Sequence, residues 1–178
     1  MIETAELLTA LMRTGALEFT GVLRGNALLL STGPSLLTFR PPSTAPVDLF
    51  VQEAIQTLYA DRSDDWQHYV LRPSELVLCQ SAERIRLDSA HLGMLGTLSH
   101  LARCGMSAHL NSPFVDPEFA GFITLELRNC GSSPLVIHKG MPVAKLFFAR
   151  LAAPSLSVAR AHYGRPGELA SRYADEFG

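Results

Sequence analysis

The sequence has few lysines, no paired cysteines and no long apolar run. No apolar run approaches the ~20 residues that a transmembrane helix needs, so no membrane partner is expected. The three cysteines are widely spaced without a C-x-x-C pair, which predicts reduced, mostly buried thiols in a cytoplasmic protein. Only Lys139 and Lys145 are lysines, and the net charge is −2. This balance gives no electrostatic reason to expect a nucleic-acid partner.

Several motifs of nucleotide and nucleophile chemistry are also missing. No histidine is followed by x-Glu and no P-C-x-x-C occurs, which excludes the signature of the zinc deaminases. The patterns G-x-x-x-x-G-K-[ST], G-x-G-x-x-G and G-x-S-x-G are absent as well. The six histidines are scattered without ligand spacing. We therefore predict no metal site, and any chemistry must run without a tightly bound transition metal.

Short apolar runs bounded by turn residues make up most of the chain. With 178 residues, 47% hydrophobic and 18% charged, the composition suits one globular domain over residues 1–178. Many short strands separated by turns are typical of an all-β sandwich or barrel. The runs are NALLLST, SLLTF, VDLFV, HYVL, ELVLCQ, RIRL, MSAHL, GFITLELRN, PLVIH and PVAKLFFARL.

Three segments depart from this β pattern. Apolar residues near helical spacing and a stop at Gly15 predict an N-terminal helix over about residues 3–13, whose acidic residues argue against a signal peptide. Ser89–Gly105 has leucines at helical spacing and predicts a short helix inserted in the barrel. The tail over about residues 160–178 is polar and glycine-rich, which predicts a flexible or helical end.

A glutamate lies at the centre of the strand predicted for GFITLELRN. Ile123 and Leu127 point to one face of this strand, and Thr124 and Glu126 point to the other. Glu126 is either a surface charge on a solvent-facing strand, which is usual for glutamate, or a base that faces a pocket. The alternation alone leaves both interpretations open.

Three segments together resemble the dCTP deaminase branch of the dUTPase-like superfamily. They are LSHLARCGM, FVDPEFAGFITLELRN and PLVIHKGMPVAKLFFARL. The second is close to the family pattern I-D-P-G-[FW]-x-G-x-[IV]-x-L-E-[FL]-x-N, and its spacing is quite specific. Weaker similarity in VDLFV, LRPSELVLCQSAERIRL and HYGRPGELASR extends the match over roughly residues 47–172.

The resemblance implies both a fold and a reaction. The fold is a distorted jelly-roll β-barrel of the dUTPase-like type, assembled as a homotrimer with active sites between subunits. The reaction is metal-independent hydrolytic deamination of a cytosine (deoxy)nucleotide to its uracil form. The implied partner is a small pyrimidine nucleotide. No cofactor is expected for the chemical step, although Mg²⁺ is expected to accompany the substrate phosphates.

Position 126 separates the two reactions of the superfamily, since deaminases have a glutamate there and pyrophosphatases an aliphatic residue. The resemblance therefore makes Glu126 the catalytic base. Without zinc, a carboxylate must take the proton of the attacking water and pass it to the leaving ammonia. Arg103 matches an arginine that orients this carboxylate, and Ser99 matches a serine that contacts the water or the base. The alternative for both is a surface residue of a helix.

The other matched residues are assigned to substrate binding. Asp116 matches the aspartate that holds the deoxyribose 3′-hydroxyl, although Asp-Pro also commonly opens a turn. Thr124 and Leu125 match positions whose main chain reads the base. Tyr163 matches a tail tyrosine that could cover the nucleotide as a lid.

Departures from the family pattern cluster at the phosphate end. Leu98 stands where the family has an arginine that grips phosphate, and His100 replaces a phosphate-binding serine. His162 stands in place of a lysine, and Arg165 is the candidate to compensate. HLNSPF replaces a segment that usually contains Thr-Ala.

These departures leave three functions open. The leading hypothesis is a deaminase whose substrate has fewer phosphates than dCTP, or a modified sugar. The second is a nucleotide pyrophosphatase that uses Asp116, against which Glu126 argues. The third is a non-catalytic trimeric protein that binds or senses a nucleotide, against which the retention of Ser99, Arg103 and Glu126 argues.

Overall fold

The structure is a computed structural model that describes residues 2–155 and 165–177. The described residues form eleven strands and four helices. The strands are β1 (Leu17–Phe19), β2 (Leu28–Phe39), β3 (Tyr59–Ser63), β4 (His68–Leu71), β5 (Leu76–Leu87), β6 (His91–Thr97), β7 (Met106–Ser107), β8 (Phe114–Val115), β9 (Ala120–Asn129), β10 (Leu135–His138) and β11 (Pro142–Arg150). The helices are α1 (Ala5–Arg13), α2 (Gln52–Gln56), α3 (Ser99–Arg103) and α4 (Tyr173–Phe177).

A single curled antiparallel sheet contains nine of these strands. Its order is β7-β9-β5-β2-β11-β6-β8, and β1 pairs with β5 while β3 pairs with β2. The two 12-residue strands, β2 and β5, change partners through register shifts, which lets the sheet curl on itself. Strands β4 and β10 form a separate ribbon. The prediction of an all-β, jelly-roll-type barrel is thus confirmed; the homotrimer stays a prediction.

Alternation along β5 divides the buried residues into two clusters. Cys79 points into the main core, which fills the curled sheet and contains Leu125 and Phe148. Leu78, the next residue along, points to the opposite face and joins a smaller cluster. This second cluster consists of Leu37, Ile55, Tyr59, Leu78 and Leu169. The outer face of β5 is therefore covered at Leu78, whereas Arg84 and Arg86 further along the strand are exposed.

The N-terminal helix is confirmed. Thr4 is its N-cap, and its side chain accepts a hydrogen bond from the main chain of Leu7. Leu8 is fully buried in the main core. The main-chain N–H of Glu3 donates to Phe148 O at 2.8 Å, so the residue before the cap is tied to β11.

The predicted inserted helix is wrong for most of its length. Residues 91–97 form β6, which pairs with β11 along seven residues, and only Ser99–Arg103 is helical. Gly93 explains the outcome in part, because glycine weakens a helix. A Cβ at Gly93 would lie 2.9 Å from Val115 Cβ, so a glycine lets β8 approach closely.

Two further local predictions are wrong. VDLFV is not a strand: Asp48 Oδ1 accepts from Phe50 N at 2.9 Å, which makes a turn ahead of α2. Of the three cysteines, only Cys79 is buried, whereas Cys104 and Cys130 are exposed beside glycines in short connections.

The described part of the C-terminal tail packs against the barrel. Leu169 is 6% exposed within the second cluster. Ser171 N donates to the Tyr59 hydroxyl at 2.9 Å, and Gln52 Nε2 donates to Ser171 O at 2.8 Å. The segment 165–177 is thus tied to α2 and β3 and ends in α4.

Candidate functional site

Glu126 lies on the outer face of β9, away from the main core. It pairs with Leu78 across the β5–β9 ladder, and cross-strand partners point to the same face of a sheet. Leu78 belongs to the second cluster, so Glu126 lies at the margin of a covered surface. Its side chain is accordingly half-buried, which is intermediate between the two interpretations drawn from the sequence.

The main chain of residues 108–110 holds this glutamate in place. Leu110 N donates to Glu126 Oε2 at 2.7 Å, and Glu126 N donates to Ala108 O at 3.1 Å. Among the described residues, Oε1 accepts no hydrogen bond. A carboxylate fixed through one oxygen keeps the other available to accept a proton.

The same segment connects Glu126 to α3. Ala108 N donates to Thr97 Oγ1 at 2.9 Å, and Thr97 ends β6 two residues before α3 begins. Strand β7 pairs with Arg128 and Asn129 at the end of β9. These contacts place α3 near the Glu126 end of the sheet.

The predicted catalytic residues lie on two different elements of the chain, Ser99 and Arg103 on α3 and Glu126 on β9. Ser99, His100 and Arg103 are all exposed on α3. In the described part of the chain, no hydrogen bond or ion pair joins Ser99 or Arg103 to Glu126. Leu98 is the N-cap of α3, and its N–H donates to Val143 O at 3.0 Å. Because Arg103 is exposed, its side chain lies on the surface of the chain that carries it.

Asp116 opens a tight turn, as the alternative interpretation predicted. Phe119 N donates to Asp116 O at 3.2 Å, Pro117 follows, and Glu118 has a φ of +65°. These are features of a type II turn, in which glycine is preferred at the third position. The Asp116 side chain is exposed and accepts no hydrogen bond from the described residues, so its carboxylate remains accessible.

Thr124 and Leu125 differ in what they can offer a base. Leu125 is fully buried in the main core and lies opposite Cys79 of β5. Glu126 N–H points away from β5 toward Ala108, and main-chain groups two residues apart in a strand point the same way. The main-chain groups of Thr124 therefore face the open edge of β9.

Gln80, which sequence reasoning missed, lies opposite Thr124. Its side chain is 2% exposed. Gln80 Nε2 donates to Arg165 O at 2.8 Å, and Gly167 N donates to Gln80 Oε1 at 3.3 Å. Arg165 is thereby held on the same face of the sheet as Thr124. The two other tail residues considered from sequence, His162 and Tyr163, lie outside the described residues.

A cleft of about 410 Å³ lies between α2, β3 and the C-terminal segment. Leu37, Gln52, Arg62, Glu168 and Arg172 contribute to its wall, and Glu126 does not. Hydrogen bonds to Asp175 and Glu168 raise the pKa of Arg172 above its usual value.

Among the described residues, no three His, Cys, Asp or Glu side chains converge as metal ligands. No helix in this part of the chain is long and apolar enough to span a membrane.

Comparison with known proteins decides the family. Residues 5–151 match the family model described as dCTP deaminase-like. The chain belongs to the dCTP deaminase-like family. The resemblance found in the sequence motifs is thus confirmed.

Relatives of this family member include three proteins named dCTP deaminase, dUMP-forming. The one from Corynebacterium glutamicum is 36% identical over 115 residues, which cover 65% of this chain and 58% of the relative. The one from Mycobacterium avium is 35% identical, covering 64% and 63% of the two chains. The one from Clavibacter michiganensis is 37% identical, covering 62% and 52%. The match thus spans less than two thirds of each relative's length.

Solved structures support the fold of this family member. The 2′-deoxycytidine 5′-triphosphate deaminase of Agrobacterium tumefaciens has a TM-score of 0.60 at 16% identity, over 88% of this chain and 50% of that one. The dUTPase of EIAV has a TM-score of 0.52 at 14% identity, over 79% and 93%. At these identities the likeness concerns the fold alone.

Proposed function

We propose that the protein catalyses metal-independent hydrolytic deamination of a cytosine (deoxy)nucleotide, with Glu126 as the base. The observation that carries this proposal is a half-buried carboxylate held through Oε2 by Leu110 N–H. The names of the relatives add the substrate class.

Glu126 would serve both halves of the reaction. Water adds through its oxygen to C4 of the pyrimidine, and Glu126 takes a proton from that water. The carboxyl group then gives this proton to the amino nitrogen, the C4–N bond breaks, and ammonia leaves. The second proton of the original water leaves the new oxygen and is taken up at ring nitrogen N3, which gives the 4-oxo form of the uracil ring. The carboxylate is regenerated, so no net proton remains on the protein.

Arg103 and Ser99 are proposed to complete this site from a neighbouring chain. Both are exposed on α3, and neither is hydrogen-bonded or ion-paired to Glu126 within the described part of one chain. A homotrimer would bring an α3 of one subunit to the Glu126 of another, where a guanidinium stabilises developing negative charge. The exposure of α3 supports this assembly.

The phosphate end is proposed to differ from that of a dCTP-specific enzyme. Leu98 provides no hydrogen-bond donor, and His100 stands in place of the family's phosphate-binding serine. The main chain of Arg165 is held beside Thr124 through Gln80, so Arg165 is the candidate cation at this end. Mg²⁺ would enter with the phosphates of the substrate, and no residue of this chain is assigned to it.

Loss of phosphate is the second candidate activity. The relatives' name, dUMP-forming, describes a product that has lost two phosphates as well as the amino group. The Asp116 carboxylate is exposed at a turn and could activate a second water. Deamination is still the leading candidate, because Glu126 matches the catalytic glutamate of the deaminases.

One experiment separates these activities. The protein is incubated with cytidine, deoxycytidine, dCMP, dCTP and dUTP, and ammonia and pyrophosphate are followed separately. Ammonia release from a cytosine substrate supports the proposal. Pyrophosphate from dUTP without ammonia from any cytosine compound would replace it by a pyrophosphatase, and binding without either product would indicate a non-catalytic nucleotide-binding protein.

A further inference from the structure

Gln80 is a buried amide whose hydrogen-bond partners both come from the C-terminal segment. Its Nε2 contacts Arg165 O and its Oε1 contacts Gly167 N. A buried amide is costly unless both ends are hydrogen-bonded. Both ends of this one are satisfied by residues more than 80 positions later in the chain. The buried Gln80 amide is therefore satisfied only when the C-terminal segment is packed against β5.

Gly167 defines the conformation of this segment from the other side. It has a φ of +74°, which favours glycine. A Cβ here would lie 2.0 Å from Arg62 Nη2, so the guanidinium packs directly on the glycine. Arg62 is in turn held by Asp64, with Nη2 2.8 Å from Oδ2. The main chain of 165–167 is thus positioned by Gln80 and by Arg62.

The docking place adjoins the nucleotide site. Gln80 and Thr124 are direct cross-strand partners, so their side chains share a face of the sheet. Glu126 lies two residues further along the same face. The Arg165 side chain is exposed, since only its carbonyl oxygen is held by Gln80.

We propose that Gln80 is a positioning residue of this site: it holds the main chain of 165–167 beside Thr124 and thereby presents the Arg165 guanidinium to the phosphate groups of the nucleotide. The inference rests on the proposed function, because it takes Thr124 as the place of the base. Arginine is suited to this task, since it is always charged and can contact phosphate oxygens with two N–H groups. With Leu98 unable to donate, Arg165 supplies the positive charge at that end.

The test compares Gln80→Met, which keeps side-chain length but removes the amide, with Gln56→Met as a matched control. Gln56 is exposed and makes no side-chain hydrogen bond among the described residues. Amide hydrogen exchange at Gly167 and Ser171 should quicken about tenfold in Gln80→Met. The Kd for dCTP, measured by calorimetry, should rise about tenfold as well. Gln56→Met should change neither quantity.

Two more variants distinguish positioning from a general structural effect. Arg165→Ala should weaken dCTP binding without changing the exchange rates, because Gln80 contacts only its main chain. The double variant Gln80→Met/Arg165→Ala should bind dCTP no more weakly than Arg165→Ala alone. Gly167→Ala should reproduce the faster exchange of Gln80→Met, since the added Cβ displaces Arg62.

Unchanged amide hydrogen exchange in Gln80→Met would refute the claim that Gln80 holds the main chain of 165–167. Faster exchange with an unchanged Kd, or additive losses in the double variant, would overturn its role at the site, as would a wild-type protein that binds no nucleotide. Ammonia release is measured separately: a protein that binds dCTP through Arg165 but releases no ammonia keeps this inference and loses the proposed deaminase.

Discussion

Leu110 N–H and Glu126 Oε2 lie 2.7 Å apart, so a main-chain donor fixes one oxygen of the proposed base. The side chain of Leu110 is irrelevant to this contact, and no sequence motif announces it. As a consequence, the other carboxylate oxygen, Oε1, is the one available to contact the attacking water.

Glu126→Gln should nearly abolish deamination while leaving the fold intact. The amide oxygen can still accept from Leu110 N–H, but the group can no longer take a proton. Loss of a positioned acid/base costs ~10²–10⁴-fold in rate. The measurement is ammonia release from the best cytosine substrate. Glu53→Gln, on the exposed face of α2, is the control, and near-full turnover by Glu126→Gln would refute the mechanism.

A shared site predicts recovery of activity on mixing two inactive variants. Arg103→Ala and Glu126→Gln should each be nearly inactive. If the two residues come from different chains of a trimer, an equal mixture reassembled from monomers should regain about a quarter of wild-type activity. Arg103→Ala mixed with Ser99→Ala should regain none, because both residues lie on one α3. Light scattering that reports a monomer, or a mixture without recovery, would contradict the shared site.

The substrate preference should follow from Leu98. We expect dCTP to have little or no advantage over dCMP or deoxycytidine. Leu98→Arg should raise kcat/KM for dCTP selectively by about ten- to a hundredfold, the value of a charged hydrogen bond. Leu49→Arg, which changes an exposed loop residue distant in sequence from Leu98, is the control. A wild-type preference for dCTP of about a hundredfold would refute this expectation, because it exceeds the roughly tenfold effect assigned to Arg165 and would require a further cation at the phosphates.

Glu118→Gly should stabilise the protein. Glu118 has a φ of +65° in the turn that Asp116 opens, a conformation that costs a side-chain-bearing residue ~1–2 kcal/mol. Glycine removes this cost but loses more entropy on folding, so a net gain of about 1 kcal/mol in the free energy of unfolding is expected by urea denaturation. Ser74→Gly, at a φ of +64°, should behave alike, whereas Asp65→Gly should destabilise.

The three thiols should differ in reactivity. Burial raises the pKa of the Cys79 thiol to about 12, so it stays protonated and inaccessible near neutral pH. Cys104 and Cys130 are exposed and should react quickly with a thiol reagent. Two fast thiols are expected in the native protein and a third only on unfolding. Cys79→Ala should leave the fast count unchanged, and a native count of three would contradict the packing.

Much of this protein could be predicted from its sequence. The strand at GFITLELRN and the alternation that sets Glu126 apart from Leu125 follow from a two-residue period, which is local. The helix at the N-terminus follows from the spacing of its apolar residues and from the stop at Gly15. The family follows from the spacing of Asp116, Pro117, Gly121 and Glu126, because a turn and a strand must be in register for that motif to work.

Contacts between distant residues decided the rest. Residues 91–97 have leucines at helical spacing, but pairing with β11 and close packing at Gly93 make them a strand. Gln80 reads as an ordinary polar residue at the end of an apolar run, and only the docked segment 165–167 supplies partners for its amide. Local patterns determine which residues form an element and which face they share; the packing of elements far apart in the chain determines which groups meet across it.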